Sequence, residues 1–515
     1  MTIEHWQKLR LSEAATKVGS GATPTGGKEA YHTSGIPLIR SQNVRFEGFT
    51  EDGLVFLDAS QAASLDNAVV CKNDVLLNIT GASIGRVTLA PPHMDGARVN
   101  QHVTIIRLKD EIDPSFVRWF IASPSQQRQI NSIQVGVTRQ ALTKDMVLRF
   151  ELPLPPFGEQ KRIVAKIEEL FSDLDAGEAA LKRAKANLKR YRAAVLKAAV
   201  EGKLTEEWRA KHPAKEPASS LLARILKERR QKWEADQLAK FAAAEKEPPK
   251  NWREKYVEPT PPVTTGLPEL PDSWCWVTLG QLLHQIEGGK SFECLTRPAG
   301  PNEWGVVKVS AMTWGTFLED EQKAIPPAAE FDPSDEIRPN DLLLSRSNTT
   351  QLVGATVLVG NCRPRLLLSD KSLRLRAIEF VNLHWLHTAL SSSVARSQLS
   401  AMATGTSDSM RNVSQDKIKS VVLPLPPLAE QQWIVEGASE RLSQIDAAET
   451  QIEHGLLRAS RLRQSILKQA FEGKLVPQDP NDESASTLLA RLVESRTQVG
   501  QSTTKPKTVR RKAKT

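Results

Sequence analysis

The chain has 515 residues, 40% hydrophobic and 25% charged, the balance of an ordinary soluble protein with room for roughly three or four domains. No run approaches 18 apolar residues and MTIEHWQKLR has no apolar signal core, so a cytoplasmic protein without a membrane span is expected. The formal charge of +9 is mostly tail: KPKTVRRKAKT carries six cations and no acid, and 9 − 6 leaves +3 elsewhere, too little to argue nucleic-acid binding alone.

Residues 1–151 read as a strand-rich domain. The runs IPLIRS, DVLLNITG, GRVTLA and HVTIIRL predict strands, and PSFVRWFIASPSQQRQI (114–130) predicts a short helical stretch. LPLPPFGEQKRIV then begins at Leu152. Pro153, Pro155 and Pro156 fix φ and keep their predecessors extended, so a stiff PPII-like or edge-strand exit is expected. A helix is predicted over 159–200, inside a segment 152–217, with Glu159 suited to the positive helix end. Ile167, Leu174, Leu181, Leu188 and Val195 recur every seven residues. A companion track (Ile163, Leu170, Gly177, Ala184, Tyr191, Ala198) precedes each by four. EGKL closes the helix at Gly202, and residues 218–267 hold a charged helix and the Pro-rich linker EPTPPVTTGLPELPDSW.

Residues 268–422 repeat the order of the first domain: GVVKVS, DLLLSRS, GATVLVG and LRLRAI predict strands, and NLHWLHTALSSSVARSQL (382–399) a helical stretch. LPLPPLAEQQWIV follows from Leu423, opening a segment 423–500 with a long helix over 430–471 and a C-terminal helix; residues 501–515 are expected to be a disordered basic tail. The second helix carries Ala438, Ile445, Ile452, Ala459 and Ile466 on one track and Ile434, Ala448, Gly455 and Leu462 on the other.

These halves are a tandem duplication. Residues 152–204 align without a gap on 423–475 with 23 of 53 pairs identical, and Trp6, Leu11 and Gly21 fall at Trp274, Leu279 and Gly289. A helix of about 38 residues is roughly 57 Å long. Such a helix is better buried against another like it, so an intramolecular antiparallel pair is expected, with Gly177, Ala184, Gly455 and Ala459 permitting close approach.

The polar residues at corresponding strand ends differ. Arg40, Ser41 and Asn43 stand where the second domain has Lys308 and Ser310; Asn78 and Thr80 contrast with Ser345, Arg346 and Asn348. Arg, Lys, Asn and Gln are the side chains that pair with base edges. No catalytic constellation is found. EGGKS (287–291) lacks the earlier glycine of a phosphate loop, and PLPP places Leu154 and Leu425 where an amino-methyltransferase motif needs Asn or Asp. The four cysteines (Cys71, Cys275, Cys294, Cys362) and nine histidines show no ligand spacing, so no metal is expected.

Two variable domains alternating with two long helices, each introduced by LPLPP..EQ and closed by EGKL, resemble the specificity subunit (HsdS) of type I restriction-modification systems. The resemblance implies an α+β fold of two strand-rich target-recognition domains, 1–151 and 268–422, joined by two long antiparallel coiled-coil helices with pseudo-twofold symmetry. Each domain would read one half of a bipartite site on double-stranded DNA. The helix pair would set the spacing and dock two methyltransferase subunits, with restriction (translocase and nuclease) subunits joining them. S-adenosylmethionine, ATP and Mg would belong to those partners and none to this non-catalytic chain.

The DNA contacts expected are Arg40, Ser41, Asn43, Asn78, Thr80, Arg98, Gln101 and Arg139 in the first domain, and Lys308, Ser310, Arg346, Asn348, Lys371 and Arg411 in the second. The helix seam is expected at Ile163, Ile167, Leu170, Leu174, Leu181, Leu188, Val195, Ile434, Ile445, Ile452, Leu462 and Ile466. A free-standing bipartite DNA-binding protein, or a coiled-coil scaffold without methyltransferase partners, remain open alternatives.

Overall fold

Every apolar run becomes a strand, because one face of each is packed against a helix or a second sheet. The computed structural model describes residues 5–24, 30–133, 141–313, 315–408 and 410–501. They divide into two units, one within Met1–Lys182 and Glu453–Thr515, the other Arg183–Ile452.

The first reader holds β1 (Gln7–Arg10), β2 (Ala15–Ser20), β3 (Ile36–Ile39), β4 (Val55–Leu57), β5 (Val75–Asn78), β6 (Val87–Leu89), β7 (Arg98–Val99), β8 (Val103–Leu108) and β9 (Glu151–Leu154). Its helices are α1 (Leu11–Ala14), α2 (Ala59–Ala63), α3 (Pro114–Ala122), α4 (Pro124–Ile133) and α5 (Lys144–Leu148). A four-stranded antiparallel sheet runs β2-β8-β5-β6; a second runs β4-β3-β7, with β3 and β7 parallel. The expected single helical stretch is two helices, because Pro124 keeps Ser123 extended at φ −65° and ψ 149°.

The long helix α6 (Phe157–Val200) leads to α7 (Glu206–Lys211) and α8 (Ala218–Ala243). The second reader then holds β10 (Cys275–Thr278), β11 (Leu283–Gly288), β12 (Gly305–Val307), β13 (Gln322–Ala324), β14 (Leu342–Ser345), β15 (Ser347–Asn348), β16 (Thr356–Leu358) and β17 (Leu366–Leu367). It continues with β18 (Ser372–Ala377), β19 (Thr404–Ser407), β20 (Met410–Asn412) and β21 (Val422–Leu425). Its helices are α9 (Leu279–Leu282), α10 (Leu383–Ser391), α11 (Ser393–Met402) and α12 (Gln415–Lys419). The topology repeats that of the first reader: β11-β18-β14-β16 is the four-stranded sheet and β13-β12-β17 the second, with β12 and β17 parallel. The second long helix α13 (Leu428–Phe471) and α14 (Ala485–Gln501) end the described chain.

The LPLPP segment is an edge strand in both copies. β9 pairs antiparallel with β1, Pro153 opposite Lys8, and β21 pairs with β10, Pro424 opposite Trp276. Each makes a two-stranded sheet, where a residue without an N–H is tolerated. The Glu-Gln pair that follows is buried, and its partners explain why it is written twice. Trp6 Nε1 donates to Glu159 Oε1 at 3.1 Å, and Trp274 Nε1 donates to Glu430 Oε2 at 2.8 Å. Gln160 accepts from the Asp113 N–H (3.0 Å) ahead of α3 and donates to the Pro155 carbonyl (3.1 Å). Gln431 likewise accepts from the Asn382 N–H (3.2 Å) and donates to the Pro426 carbonyl (3.0 Å).

The two clamps differ in charge compensation. Glu430 also accepts from Thr205 Oγ1 at 2.7 Å and is ion-paired with Arg209. Glu159 has Trp6 as its direct side-chain partner, and burial raises its carboxyl above the usual range against the lowering effect of that bond. The other matched residues are also explained. The Leu11 N–H bonds the Phe150 carbonyl, as the Leu279 N–H bonds Val421. A Cβ at Gly21 would overlap the Val99 carbonyl, and one at Gly289 the Leu368 carbonyl.

Both long helices have 44 residues, each starting two residues before its expected bound. Within the first unit Arg463 of α13 pairs with Asp175 and with Glu178 (3.2 Å) of α6. Leu181 there packs over Gly455, so partners fall from 463 to 455 as α6 advances from 175 to 181, and the pair is antiparallel. Within the second unit Arg192 of α6 pairs with Asp446 and with Glu449 (3.1 Å) of α13. The same three residue types make the same bridge in each unit.

The seven-residue track Ala438, Ile445, Ile452, Ala459 is buried and Ile466 half-buried; Val195 is buried while Leu174, Leu181 and Leu188 are half-buried. The companion track corrects the expectation. Ile167 of the first track is buried in the first reader's core; on the companion track Ile163 is buried there and Ile434 in the second's core, Leu170 is half-buried, and Leu462 is 42% exposed. A straight helix drifts about 20° per heptad against a 3.5-residue repeat, which carries this track from the reader's core toward solvent.

Each helix delivers an exit segment to the core of the unit in which it ends. Leu467, Ala470, Leu488 and Leu492 are buried in the first reader's core, and Phe471 packs on Phe116 at 5.3 Å between centroids. Ala199, Val200, Ala218, Leu221 and Ile225 are buried in the second reader's core.

Two outcomes follow. Ile445→Ala removes a side chain only 2% exposed and should cost roughly 2–5 kcal/mol, whereas Leu462→Ala should stay within about 0.5 kcal/mol; thermal melting checks both. Because the raised Glu159 carboxyl contributes stability present below its unfolded value and lost as pH rises through its folded value, Glu159→Gln should gain in Tm relative to the parent between pH 5 and pH 8. Glu430→Gln should lose Tm at pH 8, since it strands Arg209.

Candidate nucleic-acid interface

The expected contact residues do gather at strand ends, but the fold uses several of them internally. In the first reader Asn43 is fully buried: its Oδ1 accepts from the Arg40 N–H at 3.0 Å and its Nδ2 donates to the Thr50 carbonyl at 2.9 Å. Asn78 is fully buried and donates to the Ser41 carbonyl at 2.8 Å, tying β5 to the turn after β3. Arg98 is spent on the Ala62 carbonyl (3.0 Å), the Gly96 carbonyl (2.6 Å) and Asp66 (2.8 Å). In the structure these three side chains are committed to internal bonds. A buried polar group must find a partner or lose free energy, and here the partners are nearby backbone carbonyls and an aspartate.

What remains at that surface is Arg40, Ser41, Thr80 and Gln101. Arg40 donates to the Gly53 carbonyl and stacks over Tyr31 at 5.4 Å, so it is oriented but half-exposed. Thr80 Oγ1 bonds His102 Nδ1, and exposed Gln101 bonds Thr23. Arg139 lies outside the described residues.

In the second reader Lys308 and Ser310 converge on Glu321, at 3.3 Å and 2.6 Å. The Ser310 hydroxyl, then Lys308, holds the Glu321 carboxyl below its ordinary range. Sequence reasoning missed Glu321, whose charge cancels the Lys308 ammonium. Arg411 donates to the Gly405 carbonyl (3.0 Å) and the Ala403 carbonyl (2.9 Å), which fastens the β19–β20 hairpin. Arg346 is held by its Nε on Asn412 Oδ1 at 3.4 Å, Asn348 accepts from the Thr349 N–H at 2.8 Å, and Lys371 lies half-buried beside them.

An ion pair on a buried aspartate recurs in both readers: Arg107 with Asp74 at 2.8 Å, and Arg376 with Asp341 at 3.0 Å. It joins the central strands β8 to β5 and β18 to β14, or the turn ahead of each, so the tips project from a fixed frame. Among the described residues no group of three or more His, Cys, Asp or Glu could hold a metal ion. No helix there is long and apolar enough to cross a membrane.

The chain matches the family model for the type I restriction modification DNA specificity domain over residues 3–183. It is 25% identical over 485 residues to the type I restriction enzyme EcoKI specificity subunit of Escherichia coli K12, covering 90% of this chain and 89% of that one. It is 29% identical over 294 residues to the EcoEI specificity subunit of E. coli, covering 56% of this chain but only 45%, under half, of that relative. A chain solved in work on complex assembly and conformational transition of the type I R-M system has the same fold, with a TM-score of 0.62 at 21% identity, covering 91% and 98% of the two chains. With twin readers and twin clamped helices, the chain is similar to the specificity subunits (HsdS) of type I restriction-modification systems, and residues 3–183 match their DNA specificity domain.

Proposed function

We propose that each reader recognises one half of a bipartite site on double-stranded DNA, and that the α6–α13 pair sets the gap between the halves. The chain is a DNA-recognition subunit of a type I restriction-modification system, and its role there is specificity, not catalysis. The observation that carries the finer reading is the duplicated junction. The same strand topology, the same Trp–Glu bond and the same Gln bridge lead out of two readers whose tips differ. Two readers of different sequence on one repeated frame suit a site with two unlike ends and an unread middle.

Its partners are DNA and modification subunits. In this reading the helices and their exit segments dock two methyltransferase subunits, and restriction subunits complete the assembly in the cytoplasm. S-adenosylmethionine, ATP and Mg serve those partners. Arg40, Ser41, Thr80, Gln101, Arg346, Asn348 and Lys371 are the proposed contacts, by base edge or by phosphate.

Inserting one heptad into the middle of each long helix keeps the Arg192 and Arg463 bridges in register and lengthens the pair by about 10 Å. That should widen the unread spacer by about three base pairs and leave both half-sequences unchanged. Sequencing of methylated bases in host DNA reads the result; an unaltered spacer would rule out the ruler role.

A further inference from the structure

Matching hydrogen bonds relate the strand ends of the two readers residue by residue. The Ile79 N–H donates to the His102 carbonyl at 2.9 Å, and the Arg346 N–H donates to the Lys371 carbonyl at 3.0 Å. Thr80 bridges Ala141 just as Ser347 pairs with Asn412. Ile79, Gly81 and His102 of the first reader therefore correspond to Arg346, Asn348 and Lys371 of the second. In the first reader this spot offers a buried isoleucine, a glycine, and a histidine bonded to Thr80 and Gln101. In the second it offers an arginine, an asparagine and a lysine.

The charged groups of this cluster, Arg346 and Lys371, offer only donors. Arg346 is anchored through Nε on Asn412, and its two terminal nitrogens have no protein partner among the described residues. Asn348 has its acceptor Oδ1 committed to the Thr349 N–H, while its Nδ2 is buried and unpaired. Lys371 can only donate. The cross-strand neighbour Arg411 spends both terminal nitrogens on its own hairpin and so positions the cluster without joining it.

A donor-only cluster discriminates among bases. Guanine presents two acceptors, O6 and N7, in the major groove, and an arginine fork pairs with both. Adenine and cytosine each present an amino donor there, which this cluster cannot accept. The usual asparagine–adenine pairing needs both amide atoms at the base edge, and the Asn348 Nδ2 is buried. A bare phosphate anchor would need charge but not orientation. Here Nε of Arg346 is tethered to Asn412, which orients the fork.

We propose that the second reader recognises a guanine through the terminal fork of Arg346, with Lys371 donating to that base or its neighbour, a step absent from the first reader. This rests on the reading of the chain as a DNA-recognition subunit. The test is methylated-base sequencing of host DNA from cells expressing the full complex with the parent chain, Arg346→Ala, Arg346→Lys or Lys371→Ala. It is joined to binding of purified complex to duplexes carrying the parent motif or a guanine-to-adenine change.

The parent motif should contain a guanine in the half-site that responds. Arg346→Ala and Arg346→Lys should lose discrimination at that position by roughly five- to 150-fold. The other half-site and the spacer should be unchanged, and Lys371→Ala should relax the same or the adjacent position. Full discrimination retained by Arg346→Lys overturns the proposal even if Arg346→Ala fails to fold. So does uniform weakening across sequences, which would mark a phosphate anchor. Failure of the parent complex to methylate any bipartite motif would instead overturn the underlying DNA-recognition reading.

Discussion

A carboxylate and an amide buried in the first turn of each long helix hold this protein together as a recognition device. Glu159 and Glu430 take the indole N–H of Trp6 and Trp274, from the strand segment that opens each reader. Gln160 and Gln431 tie the helix to the loop ahead of α3 or α10 and to the proline carbonyl just behind them. Both side chains are almost fully desolvated, so each unmade bond would cost the whole desolvation of the group. The helix therefore leaves its reader at an angle enforced by polar bonds as well as by apolar packing, which alone tolerates slippage.

That constraint gives the helix pair its meaning. Arg192 and Arg463 bind matched Asp and Glu residues on the opposite helix. A shift of one turn would separate them, so they fix register where the apolar track of Leu, Ile and Ala would permit sliding. The bridges are partly exposed and add little stability singly; their contribution is specificity of pairing. The exit segments then insert leucines into the readers' cores, which ties the ends of each helix as firmly as its beginnings.

The frame was legible in the sequence, because a duplication marks every residue the frame needs twice. Trp6 and Trp274, Gly21 and Gly289, and the Glu-Gln pairs were visible as matches, and each has the same bond or close approach in both halves. The arginine bridges carried the same signal, identical polar residues at the repeat offset, yet apolar periodicity drew attention to the companion track, where Leu462 is exposed. The reader tips were less legible. Whether Arg98 or Arg346 is available depends on which carbonyls the turns bring near, and that is set by tertiary packing. Arg98 meets Ala62, Gly96 and Asp66, whereas among the described residues the Arg346 side chain meets only Asn412. Asn43 and Asn78 have the same residue type as a base-reading asparagine and hold turns together instead.

The most direct test of the account is the spacer tolerance of a chain whose clamps are loosened while its readers are intact. Gln160→Leu and Gln431→Leu remove the bridges between helix and reader but leave every proposed base contact in place. Sequencing of methylated bases from cells carrying the doubly substituted chain with its partners should return the same two half-sequences across several spacer lengths instead of one. A single unchanged spacer, with methylation at the parental level, would contradict the claim that the clamps turn reader and helix into one rigid body.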